Sequence, residues 1–235
     1  MPEPCQQIGI IHSPFKQKFG IPRQAGLIAE ASGFVELLPP YNQPEALTGL
    51  EEFSHVWLLW QANTINRDGW KPTVRPPRLG GNQRVGVFAS RSIFRPNAIG
   101  QSLVSLGDIV TTQQRCGFNV SGLDILDGTP LIDIKPYLPW ADALDDAVGG
   151  FAHDKPESQL KVRVAQEAVA QLELLRERDP QMMRLIERVI EQDPRPAFHQ
   201  SDRQYGISIG EYDVTFRCIE LIAHITSVAQ MDEKG

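Results

Sequence analysis

Residues 54–61, SHVWLLWQ, constrain the fold more than any other stretch. Val56, Leu58 and Trp60 alternate with Trp57 and Leu59, so an extended segment here is apolar on both faces. Such a strand belongs inside a sheet, with neighbours on either side. Strand signals recur around it. Residues 6–12 put Ile8 and Ile10 on one face before Ser13-Pro14, and 34–38 precede Pro39-Pro40. Further strands are predicted at 84–89, 102–112, 115–122 and 131–135, with 102–112 and 115–122 paired as a hairpin. Between them only 44–50, PEALTGL, has the character of a helical turn. Strands in succession with few helices predict a mainly β fold, a mostly antiparallel sheet or barrel, rather than a doubly wound α/β fold. No GxGxxG follows a strand, so the usual dinucleotide-binding fingerprint is absent.

The pattern changes after Trp140. Residues 141–158 are rich in Asp, Ala and Gly and read as a linker. Residues 160–178 show helical spacing, with Val164, Ala168, Leu172 and Leu175 on one face, until Asp179-Pro180 breaks the run. A second helix is predicted at 182–192, with Met183, Ile186 and Ile190 inward. Prolines 194 and 196 stop it, and 204–209 with 212–221 form a hairpin around Gly210-Glu211. The chain therefore divides near 148 into a β-rich domain, 1–147, and a small α+β domain, 148–235.

Charge singles out one loop. Between Phe53 and Gly107 there are seven basic residues and one acid, Asp68, in a chain whose net charge is −6. Arg75, Arg78, Arg84, Arg91 and Arg95 are set among Pro76, Pro77, Pro96, Gly80, Gly81, Gly86 and Gly100, which shape the backbone. A shaped loop presenting guanidinium groups suits phosphate or carboxylate recognition, and its plain alternative is a solvated surface loop. The acidic total disfavours indiscriminate polyanion binding, whereas a local basic band marks where an anionic partner sits.

Other classes find little support. The longest apolar runs, such as 56–60, are too short to span a bilayer, and MPEPCQQIGII lacks the features of a signal peptide, so a cytoplasmic location is expected. Cys5, Cys116 and Cys218 are widely spaced and fit reduced, structural thiols. The five histidines, His12, His55, His153, His199 and His224, lack metal-ligand spacing, and no metal is expected. There is no GxSxG and no Walker motif.

Two short stretches carry polar chemistry. Asp127-Gly128-Thr129 is either an ordinary Asp-Gly turn or a carboxylate with exposed amides that could hold a ribose or an ammonium group. In LIDIKPY, 131–137, Asp133 and Lys135 share a face opposite Ile132 and Ile134, as an ion pair or as the lining of a site. Trp57, Trp60 and Phe53 read as core rather than as stacking surfaces.

Several longer motifs occur in order: IGIIHSPFK (8–16), GIPRQAGL (20–27), FSHVWLLW (53–60), RPPRLGG (75–81), VGVFASRSIFRPNAIGQSLVSL (85–106) and LDILDGTPLIDIKPYLP (123–139). Together they resemble the TrmO family, also called TsaA-like or VirR-like proteins, and QDPRPAF (192–198) resembles its bacterial members with an appended domain. The resemblance implies a β-barrel, homodimeric, S-adenosylmethionine-dependent tRNA methyltransferase acting on N6 of N6-threonylcarbamoyladenosine at position 37 of threonine tRNA. Ala98 departs from the proline found there in many members.

Carried over residue by residue, the resemblance implies cofactor contacts from Pro22, Arg23 and Gln24, from Ser54, His55 and Val56, from Arg91, Ser102 and Leu103, and from Leu126, Asp127, Gly128 and Thr129. Asp133, Lys135 and Tyr137 are expected on the acceptor side, with Asp133 as candidate proton acceptor. Arg75, Arg78, Arg84 and Arg95 are expected to contact the anticodon stem-loop or its threonyl carboxylate. The rival readings are a non-catalytic RNA-binding or regulatory module that binds S-adenosylmethionine, and a methyltransferase on another acceptor.

Overall fold

The computed structural model describes residues 5–62, 70–195 and 203–231. Arg67 and Asp68, His199 and the end of QDPRPAF lie outside the described residues. The chain groups in space into two compact units, one of Met1–Ile11, Phe34–Val120 and Gly128–Pro156, the other of His12–Gly33, Ser121–Asp127 and Glu157–Gly235.

The first unit is built from β1 (Gly9–His12), β2 (Gly33–Leu37), β3 (His55–Gln61), β4 (Thr73–Val74), β5 (Val85–Gly86), β6 (Ile99–Thr111), β7 (Cys116–Ser121), β8 (Thr129–Pro136) and the helical turn α1 (Pro139–Asp142). Six strands close into a barrel in the order β1-β2-β7-β6-β3-β8, and β4 and β5 form a separate ribbon. Closure comes from β1 lying antiparallel to β8, with Gly9 opposite Leu131 and Ile11 opposite Thr129. A closed barrel leaves no edge to pair with another chain.

The double-sided apolar strand is central, as its pattern predicts. β3 pairs with β6 on one side, from His55 opposite Ser105 to Gln61 opposite Ile99, and with β8 on the other. Val56 and Leu58 are 0% exposed, alongside buried Val35, Val104, Phe118 and Leu131. Trp57, Leu59 and Trp60 are half-buried rather than fully core. Trp60 lies against Gly100, where an added Cβ would come within 2.2 Å of the indole, so this pairing admits only glycine without displacing the ring.

The predicted strand at 84–89 is shorter than its alternation promises. Only Val85–Gly86 pairs, opposite Thr73–Val74, after which Val87–Ala89 turns as a 3-10 helix that buries Val87. Ala98 adopts φ +50, a conformation closed to proline. Residues 141–158, read as a linker, carry a short helical turn at Gly150–Ala152 and the end of another at Pro139–Asp142.

The second unit contains β9 (Lys161–Val164), α2 (Val169–Arg178), α3 (Pro180–Glu191), β10 (Gln204–Ile209), β11 (Tyr212–Ile219) and β12 (Ile222–Gln230). Its sheet runs β10-β11-β12-β9. The expected hairpin forms, with Ile209 opposite Tyr212, but a third strand extends it. The helix expected from 160 starts later, because Lys161–Val164 is a strand lying parallel to β12. Asp179 ends α2 and its carboxylate accepts the Met182 N–H at 2.9 Å, capping α3 above Pro180. Residues 12–33 join this unit: Gly210 N–H donates to Pro14 O at 2.7 Å, and the Phe19 ring lies 6.2 Å from that of Tyr205.

Candidate active site and nucleic-acid interface

The polar residues of the barrel gather around β3 and β8. His55 is bonded through both ring nitrogens, Nδ1 to Ser54 Oγ at 2.8 Å and Nε2 to Ser105 Oγ at 3.2 Å. Two hydroxyls therefore fix the ring plane, since each can donate or accept to suit the tautomer. Tyr137 N–H donates to His55 O at 3.0 Å, and the tyrosine ring lies 6.3 Å from the imidazole and 6.2 Å from the Trp57 indole. Asp142 accepts from Trp57 Nε1 at 3.2 Å and from Leu138 N–H at 2.9 Å, which ties the turn after β8 to β3. Ser105 and Asp142 were not legible as partners, because their sequence separations from His55 and Trp57 obey no periodicity.

Asp133 and Lys135 stand two residues apart on β8 and form an ion pair of 3.0 Å. The second carboxylate oxygen of Asp133 accepts the Ile134 N–H at 2.9 Å. The carboxylate is thus oriented by two donors while staying partly open to solvent, as is Lys135.

The other barrel residues expected at the cofactor differ in what they present. Val56 and Ser102 are buried, and Ser102 Oγ accepts from Trp60 Nε1 at 3.0 Å, so contacts from these two would come from the backbone. Leu103, opposite Trp57, is half-buried, and Thr129 is buried beside exposed Gly128. Gly128 has φ +72 and nothing within 4 Å of where a Cβ would sit. Arg91 is exposed and has no hydrogen bond or ion pair among the described residues.

In the second unit, Asp127 already has two partners. Its carboxylate accepts the Ser13 N–H at 2.8 Å and pairs with Lys16 Nζ at 2.7 Å, while Ser13 Oγ donates to Ile125 O at 2.6 Å. Leu126 beside it is half-buried. Pro22 is buried and Gln24 half-buried. Exposed Arg23 donates to Asp193 O at 3.2 Å. Asp193, at φ +48, also grips Arg195 at 2.7 Å, and that hydrogen bond pushes the guanidinium further above its ordinary range. Burial pushes the Cys218 and Cys116 thiols up, which keeps both neutral.

In the basic loop the arginines divide by what already holds them. Arg95 Nη1 donates to Ser90 O at 2.6 Å and to Val87 O at 3.2 Å, so it staples the loop. Arg78 donates to Asp154 O, and Arg84 to Thr73 Oγ1 at 3.3 Å. Arg75 is exposed with no such partner among the described residues. Sequence reasoning passed over the aromatics of this loop. Trp70, Phe88 and Phe94 are exposed, and their only signal was their interleaving with arginine in an acid-free stretch.

Comparison with known proteins gives this arrangement its relatives. The N-terminal domain model of tRNA-methyltransferase O matches residues 10–143, and its C-terminal domain model matches 157–231. The tRNA (adenine(37)-N6)-methyltransferase of Escherichia coli (strain K12) is 46% identical over 90% of this chain and 92% of its own. A putative S-adenosylmethionine-dependent methyltransferase of Pseudomonas aeruginosa is 47% identical over 88% of this chain and 89% of its own. The crystal structure of TrmO from Pseudomonas aeruginosa superposes with a TM-score of 0.79 at 38% identity, covering 97% of this chain and 99% of that one. With both domain models matched in order, and with relatives that align along most of its length, this chain belongs to the tRNA-methyltransferase O family.

Proposed function

We propose that this protein is a tRNA methyltransferase that transfers the methyl group of S-adenosylmethionine to N6 of N6-threonylcarbamoyladenosine at position 37 of threonine tRNA. The observation that carries the reading is the match of both domain models, 10–143 and 157–231, joined to 46% identity with a relative named for methylation of adenine 37 at N6. The basic, acid-free loop on a chain of net charge −6 favours an anionic acceptor met locally. We infer a homodimer from the family resemblance, and from the sequence a cytoplasmic location without a membrane or DNA partner; separately, no helix among the described residues is long and apolar enough to cross a membrane.

The donor set partly suits the cofactor. Arg91, with no partner among the described residues, is the guanidinium available for an amino-acid carboxylate, and planar fork geometry suits that pairing. Gly128, with open space beside its Cα, lets a ligand approach the backbone closely. Ser54 and His55 supply polar atoms at the start of β3, Leu103 an apolar surface, and Val56, Ser102 and Thr129 backbone groups. Pro22, Arg23, Gln24, Leu126 and Asp127 belong to the other unit, and the family resemblance alone carries them as cofactor residues. Because Asp127 already holds Lys16 and the Ser13 amide, its role is to fix the turn before Gly128 rather than to bind an ammonium group unaided.

The bound cofactor supplies an electrophilic methyl on a sulfonium. The protein's share is to place the acceptor nitrogen in line with it and to take the N6 proton. Asp133 is the proton acceptor at its carboxylate, oriented by the Ile134 amide, and Lys135 balances its charge. Tyr137, whose ring neighbours those of His55 and Trp57, forms a wall for the acceptor.

The test uses bulk tRNA prepared with and without the threonylcarbamoyl group, incubated with the full-length protein and methyl-labelled S-adenosylmethionine, then digested to nucleosides and weighed. Label confined to threonylcarbamoyl-adenosine is the expected result. Cofactor binding with no label in either pool would replace the enzyme by a cofactor-binding regulatory module.

A further inference from the structure

Three large aromatic side chains stand in water on the basic loop: Trp70 at 51%, Phe88 at 69% and Phe94 at 43% exposure. Large exposed apolar side chains that cluster mark a contact surface more often than a solvated one. Trp70 and Phe88 lie nearly parallel, with centroids 6.2 Å apart and planes 21° from each other. Cations accompany the phenyl rings. Lys71 Nζ is 5.6 Å from the centroid of Phe94, and Arg95 Cζ is 5.5 Å from that of Phe88.

The surface is held from beneath. Val87 N–H donates to Pro72 O at 3.0 Å, and the ribbon of β4 and β5 lies directly between the two aromatic positions in sequence. Arg95 closes the far side on the carbonyls of Val87 and Ser90, while Val87 is 1% exposed under the loop. The aromatics are thus presented on a braced frame, which lowers the entropy lost when something docks on them.

Charge selects the occupant. From Trp70 to Gly107 there is no Asp or Glu, while Lys71, Arg75, Arg78, Arg84, Arg91 and Arg95 all fall within that stretch. Exposed rings in a basic, acid-free stretch, two of them with a cation over the ring, complement a polyanion that carries flat, unpaired bases. Duplex nucleic acid would meet the arginines but leave the rings idle, since its bases are stacked on each other.

We propose that Trp70, Phe88 and Phe94 form a stacking platform for unpaired bases of the anticodon loop beside the nucleotide to be methylated. This rests on the tRNA reading above and adds to it the means by which the loop is held open. Stacking is tolerant of base identity, so the platform positions the loop and does not select its sequence.

The test measures affinity of the full-length protein for an anticodon stem-loop RNA and for a blunt duplex of the same stem, over a range of salt. Phe88→Ala and Trp70→Ala are expected to weaken stem-loop binding by roughly 5- to 150-fold for each base released, and to leave duplex binding and the salt slope unchanged. Phe88→Tyr, which keeps a ring, restores the affinity, and Phe88→Leu does not, which separates stacking from apolar bulk and from misfolding. Arg75→Ala lowers the salt slope by about one instead. The platform is overturned if the alanine variants bind the stem-loop like wild type, if they weaken duplex binding equally, or if they change the oligomeric state. Should the wild type methylate tRNA in the first two cases, the tRNA reading survives the loss of the platform. Should the wild type neither bind the stem-loop nor methylate tRNA, both fall.

Discussion

Asp133 is where the proton-transfer reading can be broken at a single atom. Asparagine at this position keeps an oxygen for the Ile134 amide but loses the charge that pairs with Lys135. The pair is partly exposed, and such pairs contribute at most about 1 kcal/mol to stability, so the fold of Asp133→Asn should be intact. If the carboxylate takes the N6 proton, single-turnover methyl transfer in Asp133→Asn falls by roughly 10²- to 10⁴-fold, with cofactor affinity retained. A wild-type rate would remove Asp133 from that role and turn attention to His55, whose two nitrogens are both held by serine hydroxyls. The acidic and basic residues of the site were legible because their types and spacing announce chemistry. Their engagement was not. Asp127 reads either as part of an ordinary Asp-Gly turn or as a carboxylate open to a ligand, and only the fold brings Lys16, 111 positions away, to within 2.7 Å of it.

Among the elements, α3 shows why some boundaries could be read and others could not. Met183, Ile186 and Ile190 recur at helical spacing and are all buried, and Asp179-Pro180 is a cap followed by the one proline position a helix start tolerates. Asp179→Ala should cost about 1 kcal/mol, within a range of about 0.5–2, read as a shift in the urea midpoint at unchanged slope. No shift would mean that packing of the buried face alone sets where α3 begins. β9 was hidden because Leu160, Val164 and Ala168 are spaced four apart and imitate a helix, although Lys161 to Val164 alternates as a strand. β12 was hidden by its turn: Glu220 takes φ +54 between β11 and β12 without the glycine or asparagine that usually marks such a hairpin. The barrel needed no such markers, because β3, apolar on both faces, has only one kind of place to go.

At the scale of the whole chain, the sequence division near 148 and the spatial grouping make different demands on a truncated protein. Residues 12–33 and 121–127 group in space with 157–235. The links are specific. Phe15, 1% exposed, bridges to Ile209, Gly20 approaches the Ile207 side chain, Arg23 donates to Asp193 O, and Glu30 faces Arg188 at 3.8 Å. A fragment of 1–147 keeps all barrel strands but strips these segments of their partners. Phe15 alone would re-expose a side chain whose burial contributes about 1.5–3 kcal/mol, and the stacking of Phe19 on Tyr205 would go with it. The fragment is therefore expected to bind an apolar dye, to unfold at a lower temperature than the full chain, and to lose protection from hydrogen exchange first in 12–33. A fragment as stable as the full chain, with 12–33 still protected, would show that the barrel domain is self-sufficient and that the second unit's hold on these segments adds nothing to it.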